Sequence, residues 1–588
     1  MDMRWSLEEL YPSFDSESFQ QDFKKVFEKI ETIKEWAKNN LASTESSVYK
    51  IENYIKMQIE FGNLYSRLYE YASLVMSVDA KNETALQVVE KLEAKLADLA
   101  EPSTKFKKWL YSLGNLDTLI SCSDLLKEHS FYLKELVLET KHLLSDEEEI
   151  LLAKMKNTGS KAWEKLQDLL SSTLLVDITI NGESKSLPLP IVRNMAYEND
   201  AVLRKTAYEA ELKAYDKIAE ASAAALNGIK GEVITEAKMR GYKSPLEMTL
   251  LRSRMDQKTL DAMFAAIMES LPSFRKYLKK KAELLGHKNG LPFYDLFAPM
   301  GEIEMKFTYD EAKEFIVKNF IKFSPDLGNF AKNAFEKRWI DAEPRDGKRG
   351  GAFCSNIHSI KESRILSNFT GMFNDVVTLA HELGHGYHGE CLKHETYLNS
   401  DYPMPIAETA SIFAETIIID AALKEASPEE AFTILESDLM SSTQVIVDIY
   451  SRFLFEDELF KRREQGSLSV NELKKLMLEA QKKAYGEGLD ENYLHPYMWV
   501  CKPHYYSADY NYYNFPYAFG LLFSKGLYAL YLERGETFVK EFEQLLAATG
   551  KNNLAEVAKK ININLHAVDF WKNSLKLIEK DIDKFLSL

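Results

Sequence analysis

The chemistry-bearing stretch of this chain is His381-Glu382-Leu383-Gly384-His385, an HExxH motif. Two histidines four residues apart face the same side of a helix, one turn from each other. Imidazoles so placed can ligate one Zn²⁺ together, and the carboxylate beside them can take a proton from an activated water. Phe373, Val376, Val377 and Ala380 give the preceding turns an apolar stripe, so a helix is expected here. A plain helix with two ordinary histidines is the competing reading, because short motifs recur by chance.

A catalytic zinc takes three protein ligands and keeps one position open. A third histidine in the HExxHxxGxxH arrangement is excluded by spacing, since His388 stands at the glycine position and Cys391 at the last-histidine position. His388 lies farther along the same helix and would crowd the pair. It and His394 are read as polar residues outside the ligand set. Glu408 is the better third ligand. Pro403 and Pro405 read as a break, followed by a new helix over 406–422 that carries Glu408 in its first turn. The helix dipole alone also favours a carboxylate there, so the ligand reading leans on the histidine pair upstream. Ser411 and Glu415 share the face of Glu408 at i+3 and i+7. Glu415 is too far along to reach the same ion and at best touches a ligand from behind.

The elements that must position these groups are mostly helical. Segments 19–36, 48–78 and 84–100 carry apolar residues at helical spacing with Lys and Glu between them. The pattern changes at 174–189. Val176, Ile178 and Ile180 alternate with polar residues and Asn181-Gly182 follows, which predicts a hairpin. Pro188 and Pro190 then break the chain, and a boundary near 195 separates an N-terminal helical domain (1–195) from a second domain (196–588). Helical spacing resumes over 200–238 and 257–285. Residues 286–307 read as irregular and 339–369 as β structure. Within the latter, Arg345-Asp346-Gly347-Lys348 predicts a turn, Gly350-Gly351-Ala352-Phe353-Cys354 a strand start, and 364–369 another strand. From Asn374 the chain is helical again, except for the aromatic, proline-interrupted stretch 493–516.

Composition bounds the class. Of 588 residues, 45% are hydrophobic and 28% charged, a globular balance. Twenty-five glycines and 16 prolines are too few for an all-β protein rich in tight turns. Lys and Arg number 74 against 90 Asp and Glu, a net charge of −16, which argues against nucleic acid or an anionic membrane as partner. The four cysteines are scattered with no CxxC pair, which disfavours a zinc ribbon and fits a reducing compartment. The first residues include Asp2, Glu8 and Glu9 and lack an apolar core, so no signal peptide is expected. No apolar run approaches the roughly 18 residues of a membrane span. A cytoplasmic protein is the expectation.

TLAHELGHGYH followed by AETASIFAE resembles the M3 family of zinc metallopeptidases, in its oligoendopeptidase F branch. YDLFAP, RDGKRGGAFCSNI, ILSNFTGMFNDVVTLAHELGH and KPHYYSADYNYYNFPYAFGLLFS resemble segments of that branch in the same order, over residues 290–525. The resemblance implies a zinc metalloendopeptidase that hydrolyses internal bonds of short, unfolded oligopeptides. It implies one Zn²⁺ per chain on His381, His385 and Glu408, with Glu382 as general base. It further implies a mostly α fold of two helical lobes around a deep substrate channel, with a small β-sheet near the HExxH helix.

Read from residues alone, the tyrosines that crowd around His504 are packing, although a Tyr O–H and a His N–H suit an oxyanion. The resemblance assigns that role to His504, Tyr513 and Tyr517. Tyr510 competes with them and is otherwise a substrate contact. The resemblance also favours reading Gly350, Gly351, Ala352 and Phe353 as an edge strand that pairs with substrate backbone, over a glycine-rich hairpin that merely packs tightly. Cys354 and Cys391 are expected to be structural. Two rivals stand beside this reading: a zinc carboxypeptidase or dipeptidase of similar helical architecture, and a non-enzymatic peptide-binding scaffold. An aminopeptidase is disfavoured by the lack of a GxMEN-type segment.

Overall fold

Several helices start where the sequence supplies a cap. Ser16 accepts a hydrogen bond from the Phe19 amide and opens the helix Glu17–Asn40, whose Val26, Ile30, Ile33 and Ala37 form one buried face. The computed structural model describes residues 2–301 and 305–588; residues 302–304 of the expected irregular stretch lie outside the described residues. The chain divides into two compact units, each built from three segments, and each draws on both sides of residue 195.

The first unit comprises Met1–His142, Glu304–Ala422 and Leu530–Asn562. The helices Glu17–Asn40, Ser47–Val78 and Glu83–Leu96 correspond to the segments 19–36, 48–78 and 84–100 read as helical, with ends shifted by up to four residues. Tyr11, Phe19, Leu68 and Tyr71 form a core that continues into Ile357 and Leu366 of a three-stranded sheet. In that sheet Glu362–Leu366 is central. Ile340–Asp341 pairs with it in parallel and Phe353–Ile357 antiparallel, with Phe353 opposite Leu366 and Ile357 opposite Glu362. The expected turn closes with the Lys348 amide donating to the Arg345 carbonyl at 3.3 Å. The strand expected from Gly350 starts at Phe353 instead. Gly351 adopts φ +79°, off the strand conformation, and the Asn368 side-chain amide holds the carbonyls of Gly351 and Arg349 at 2.9 and 3.1 Å.

The second unit comprises Leu143–Ile303, Leu423–Ala529 and Ile563–Leu588. Leu175–Ile180 and Glu183–Pro188 form the expected hairpin. Asn181 and Gly182 both have positive φ, at 53° and 81°, as the two-residue turn requires. Long helices follow, among them Ala219–Met239, Gln257–Leu284, Ile449–Arg463 and Val470–Tyr485. Gln257–Leu284 packs against Val568–Ser587. In Phe515–Arg534 every residue from Phe515 to Tyr528 except Tyr517 is buried, as its apolar sequence on all sides demands. Among the described residues, no helix is long and apolar enough to cross a membrane.

Candidate metal centre

The HExxH motif lies on the helix Phe373–Leu392. Asp375 caps its start, accepting from the amides of Thr370 at 2.7 Å and Met372 at 3.1 Å. Val376, Leu379, Ala380 and Leu383 bury one face. A Cβ on Gly384 would stand 2.5 Å from the Ala410 carbonyl oxygen and 2.6 Å from the Ser411 Cα. Only glycine at this position lets the helix Thr409–Glu425 lie so close. The single helix expected over 406–422 is divided into Met404–Ala407 and Thr409–Glu425. Glu408 sits at the junction, its carbonyl accepting from the Ile412 amide at 3.0 Å.

Three side chains converge. Nε2 of His381 and Nε2 of His385 are 3.1 Å apart, and Oε2 of Glu408 lies 3.2 Å from the first and 3.4 Å from the second. Tetrahedral bonds of about 2.0–2.2 Å to one ion place its ligand atoms roughly 3.3–3.6 Å from one another, so this triangle is within a few tenths of an ångström of the size of a zinc site. One donor atom from each residue can be chosen with all three within 4.8 Å. Ser411 Oγ donates to Oε2 of Glu408 at 2.9 Å and orients the carboxylate. Nδ1 of His381 is hydrogen-bonded to Glu415.

The electrostatics of the triad favour a bound cation. Burial raises the pKa of Glu408, but the imidazoles of His381 and His385 outweigh it and hold this carboxyl well below the usual range. Burial works against a charged His381, yet Glu408 and Glu415 raise its pKa to about 10. Two carboxylates on one imidazole attract positive charge, whether proton or metal. Glu382 behaves differently. It is 6% exposed, its Oε2 has no hydrogen-bond partner, and burial pushes its pKa up against the pull of the two histidines. A desolvated, unpartnered carboxylate beside a metal triad is suited to take a proton.

His388 is fully buried, with Nε2 2.9 Å from Thr549 Oγ1 and its ring stacked 4.0 Å from Tyr402. It stands apart from the triad. Phe353–Ile357 is an edge strand and helps to wall a cavity of about 490 Å³ that also reaches Glu70, Lys361 and Tyr402. Open space surrounds the Cβ positions of Gly350 and Gly351. Asn356, which sequence reasoning passed over, ties this strand to the motif helix. Its side-chain amide donates to the His385 carbonyl at 3.0 Å, and a Cβ on Gly389 would strike it at 2.4 Å. No local pattern marks such a contact, because its partner is 29 residues away.

His504, Tyr510, Tyr513 and Tyr517 belong to the second unit. The His504 ring stacks on Tyr513 at 4.6 Å and 14°, and Tyr513 lies 6.0 Å from Tyr517. Burial, then Arg452 and Lys502, lower the His504 pKa, and its Nδ1 is buried without a partner. Tyr510 is 66% exposed. The neighbouring residues are held from beneath. Lys230 donates to Glu456 at 2.7 Å and to Asn511 at 2.8 Å, and Glu456 accepts from the Tyr512 amide at 3.0 Å. Tyr512 takes φ +52°. Tyr505 and Tyr512 are packing residues, set against Phe455 and Phe460.

Comparison with known proteins adds a lineage. A model described as peptidase family M3 matches residues 194–577, and one described as oligopeptidase F matches 111–175. Oligopeptidase PepF of Bacillus subtilis is 25% identical over 99% of this chain and 87% of its own length. Group B oligopeptidase PepB of Streptococcus agalactiae is 24% identical over 98% and 95%. Among solved structures, oligoendopeptidase-F from Enterococcus faecium superposes with a TM-score of 0.69 at 19% identity, over 97% of this chain and 98% of that one. At that identity the likeness speaks for the fold.

Proposed function

Since the chain belongs to peptidase family M3, we infer that it is a metallopeptidase hydrolysing internal bonds of oligopeptides, and we propose zinc as its metal. The observation that carries this reading is the His381–His385–Glu408 triangle with the unpartnered carboxylate of Glu382 beside it. Zn²⁺ held there would supply Lewis acidity toward a water and the scissile carbonyl. Glu382 takes a proton from the attacking water and delivers it to the leaving amine. Its raised pKa makes it a better base than an exposed carboxylate. His381, kept by Glu415 with Nε2 toward Glu408, and Glu408, oriented by Ser411, serve as ligands together with His385.

The edge strand Phe353–Ile357, with Gly350, Gly351 and Ala352 leading into it, suits an extended peptide that adds as a further strand. We assign oxyanion donation to His504, Tyr513 and Tyr517. The support is the family resemblance and an imidazole kept neutral with an unpartnered nitrogen. Tyr510 is assigned to substrate contact. The four cysteines are free thiols, which supports a reducing, cytoplasmic setting. A carboxypeptidase, a dipeptidase or a mere scaffold is not favoured, because the relatives are named as oligopeptidases.

Glu382→Gln tests the reading on an internally quenched peptide blocked at both ends. The wild type cleaves it. The variant keeps its zinc and loses about 10²–10⁴-fold in kcat. Cleavage of free-ended peptides alone, or a kcat in the variant near that of the wild type, would overturn the assignment.

A further inference from the structure

A second cavity, wholly within the second unit, carries more positive than negative charge. Its volume is about 180 Å³. Arg193, Arg204, Glu211, Asp448, His495 and Lys502 line it, and Arg204 is paired with Asp295 at 2.7 Å. Both carboxylates are already matched. Glu211 accepts from the Tyr215 hydroxyl at 2.7 Å and faces His495 Nε2 at 3.4 Å and Arg193 Nε at 3.7 Å. Asp448 pairs with Arg452 at 2.5 Å and accepts from the Tyr485 hydroxyl at 3.1 Å. Lys502 is left over. Among the described residues its ammonium has neither an ion-pair partner nor a hydrogen-bond acceptor; burial first, then Arg452 and Arg193, lower its pKa, while Asp448 favours its charge. With Arg193 matched by Glu211, Arg204 by Asp295 and Asp448 by Arg452, Lys502 leaves a surplus of one positive charge.

Unmatched polar groups gather at the same place. His495 is 2% exposed and lines the cavity. Its Nε2 is engaged with Glu211, while its Nδ1 has no partner. Behind the lining, Arg452, which pairs with Asp448, has its Nε likewise buried without a partner. A charge drawn out of water without a counter-charge is unfavourable, and an entering anion relieves it.

We propose that this cavity binds a small monovalent anion, with Lys502 and Arg193 as its charged contacts. The surplus of a single charge selects a monoanion over sulfate or hydrogen phosphate. The volume admits chloride or a small carboxylate. The site stands independently of the peptidase reading. One consequence rests on that reading: Lys502 lies two residues before His504 and contributes to the positive field at its imidazole, so a bound anion would weaken that field.

The test uses the full-length protein in bulky sodium gluconate at fixed ionic strength, replaced stepwise by chloride, acetate or sulfate. Melting temperature and the ³⁵Cl NMR line width are read. Chloride or acetate should raise the melting temperature saturably, and chloride should show excess line broadening. Lys502→Met should bind about tenfold more weakly, and Lys502→Arg should keep most of the affinity. If Lys502→Met does not fold, Arg193→Gln takes its place with the same expected weakening. A response to chloride alone makes the ligand a halide, and one to acetate alone makes it a carboxylate; both support the site. A flat titration of the wild type, a preference for sulfate, or an affinity unchanged in the charge-removing variant overturns it.

Discussion

Nδ1 of His381 is hydrogen-bonded to Glu415, and Nε2 of the same ring lies 3.2 Å from Glu408 Oε2. One carboxylate thus fixes the tautomer while the other shares the space where a metal would sit. Glu415→Ala should leave the three ligands in place and weaken zinc binding by about 10–100-fold. Competition with a chromogenic chelator measures it. Unchanged affinity would make Glu415 a bystander.

Gly384→Ala probes how the third ligand is delivered. The added methyl would stand 2.5 Å from the Ala410 carbonyl oxygen, so one of the two helices must move. Glu408 adjoins the displaced residues, so zinc affinity should fall together with stability. Overpacking of this kind costs about 1–3 kcal/mol. Denaturant midpoint and zinc affinity are read on the same preparation. A variant normal in both would show that the contact is soft.

How much of this was legible follows from the reach of each signal. The span 257–285 became Gln257–Leu284 because helical spacing is written within the element itself. Asn181-Gly182 specified its turn because only such residues accept two positive φ angles in succession. The His381/His385 pair was visible for the same local reason. The packing role of Gly384 was not, because the atoms it admits come from Ala410 and Ser411 on another helix. Asn356 gave no signal, since its acceptor is a backbone carbonyl on a separate element. The division of each unit among three chain segments is tertiary as well and has no local imprint.

His388 carries a pH dependence separate from catalysis. Burial, with a smaller contribution from His385, pushes its pKa from 6.5 down to about 3. The unfolded chain therefore binds a proton, below pH of about 6.5, that the native state refuses until about pH 3. Stability is full above the unfolded pKa and falls with pH through that window, by up to roughly 5 kcal/mol. His388→Gln should flatten the acid side of the melting curve while costing some stability at neutral pH. Melting temperatures at pH 5 and pH 7.5 decide this. Equal drops in variant and wild type would move the acid sensitivity to other groups.

The aromatic stretch separates packing from chemistry most sharply. Tyr513 stacks face to face on His504 at 4.6 Å, and removal of its hydroxyl leaves that stack intact. Tyr513→Phe should therefore keep the melting temperature and the zinc content. If the hydroxyl donates to the oxyanion, kcat falls by about 10²–10³, or roughly 2.7–4 kcal/mol, with little change in KM. Tyr517→Phe tests the neighbouring ring, 6.0 Å away, by the same criteria. Tyr510→Phe is the comparison: at 66% exposure its hydroxyl is hydrated, and its loss should alter KM more than kcat. A near-normal kcat in all three variants would return the tyrosines to packing and leave His504 as the donor from this stretch. The imidazole is suited to that role, because burial, Arg452 and Lys502 favour its neutral form, whose single N–H can donate to a developing negative charge.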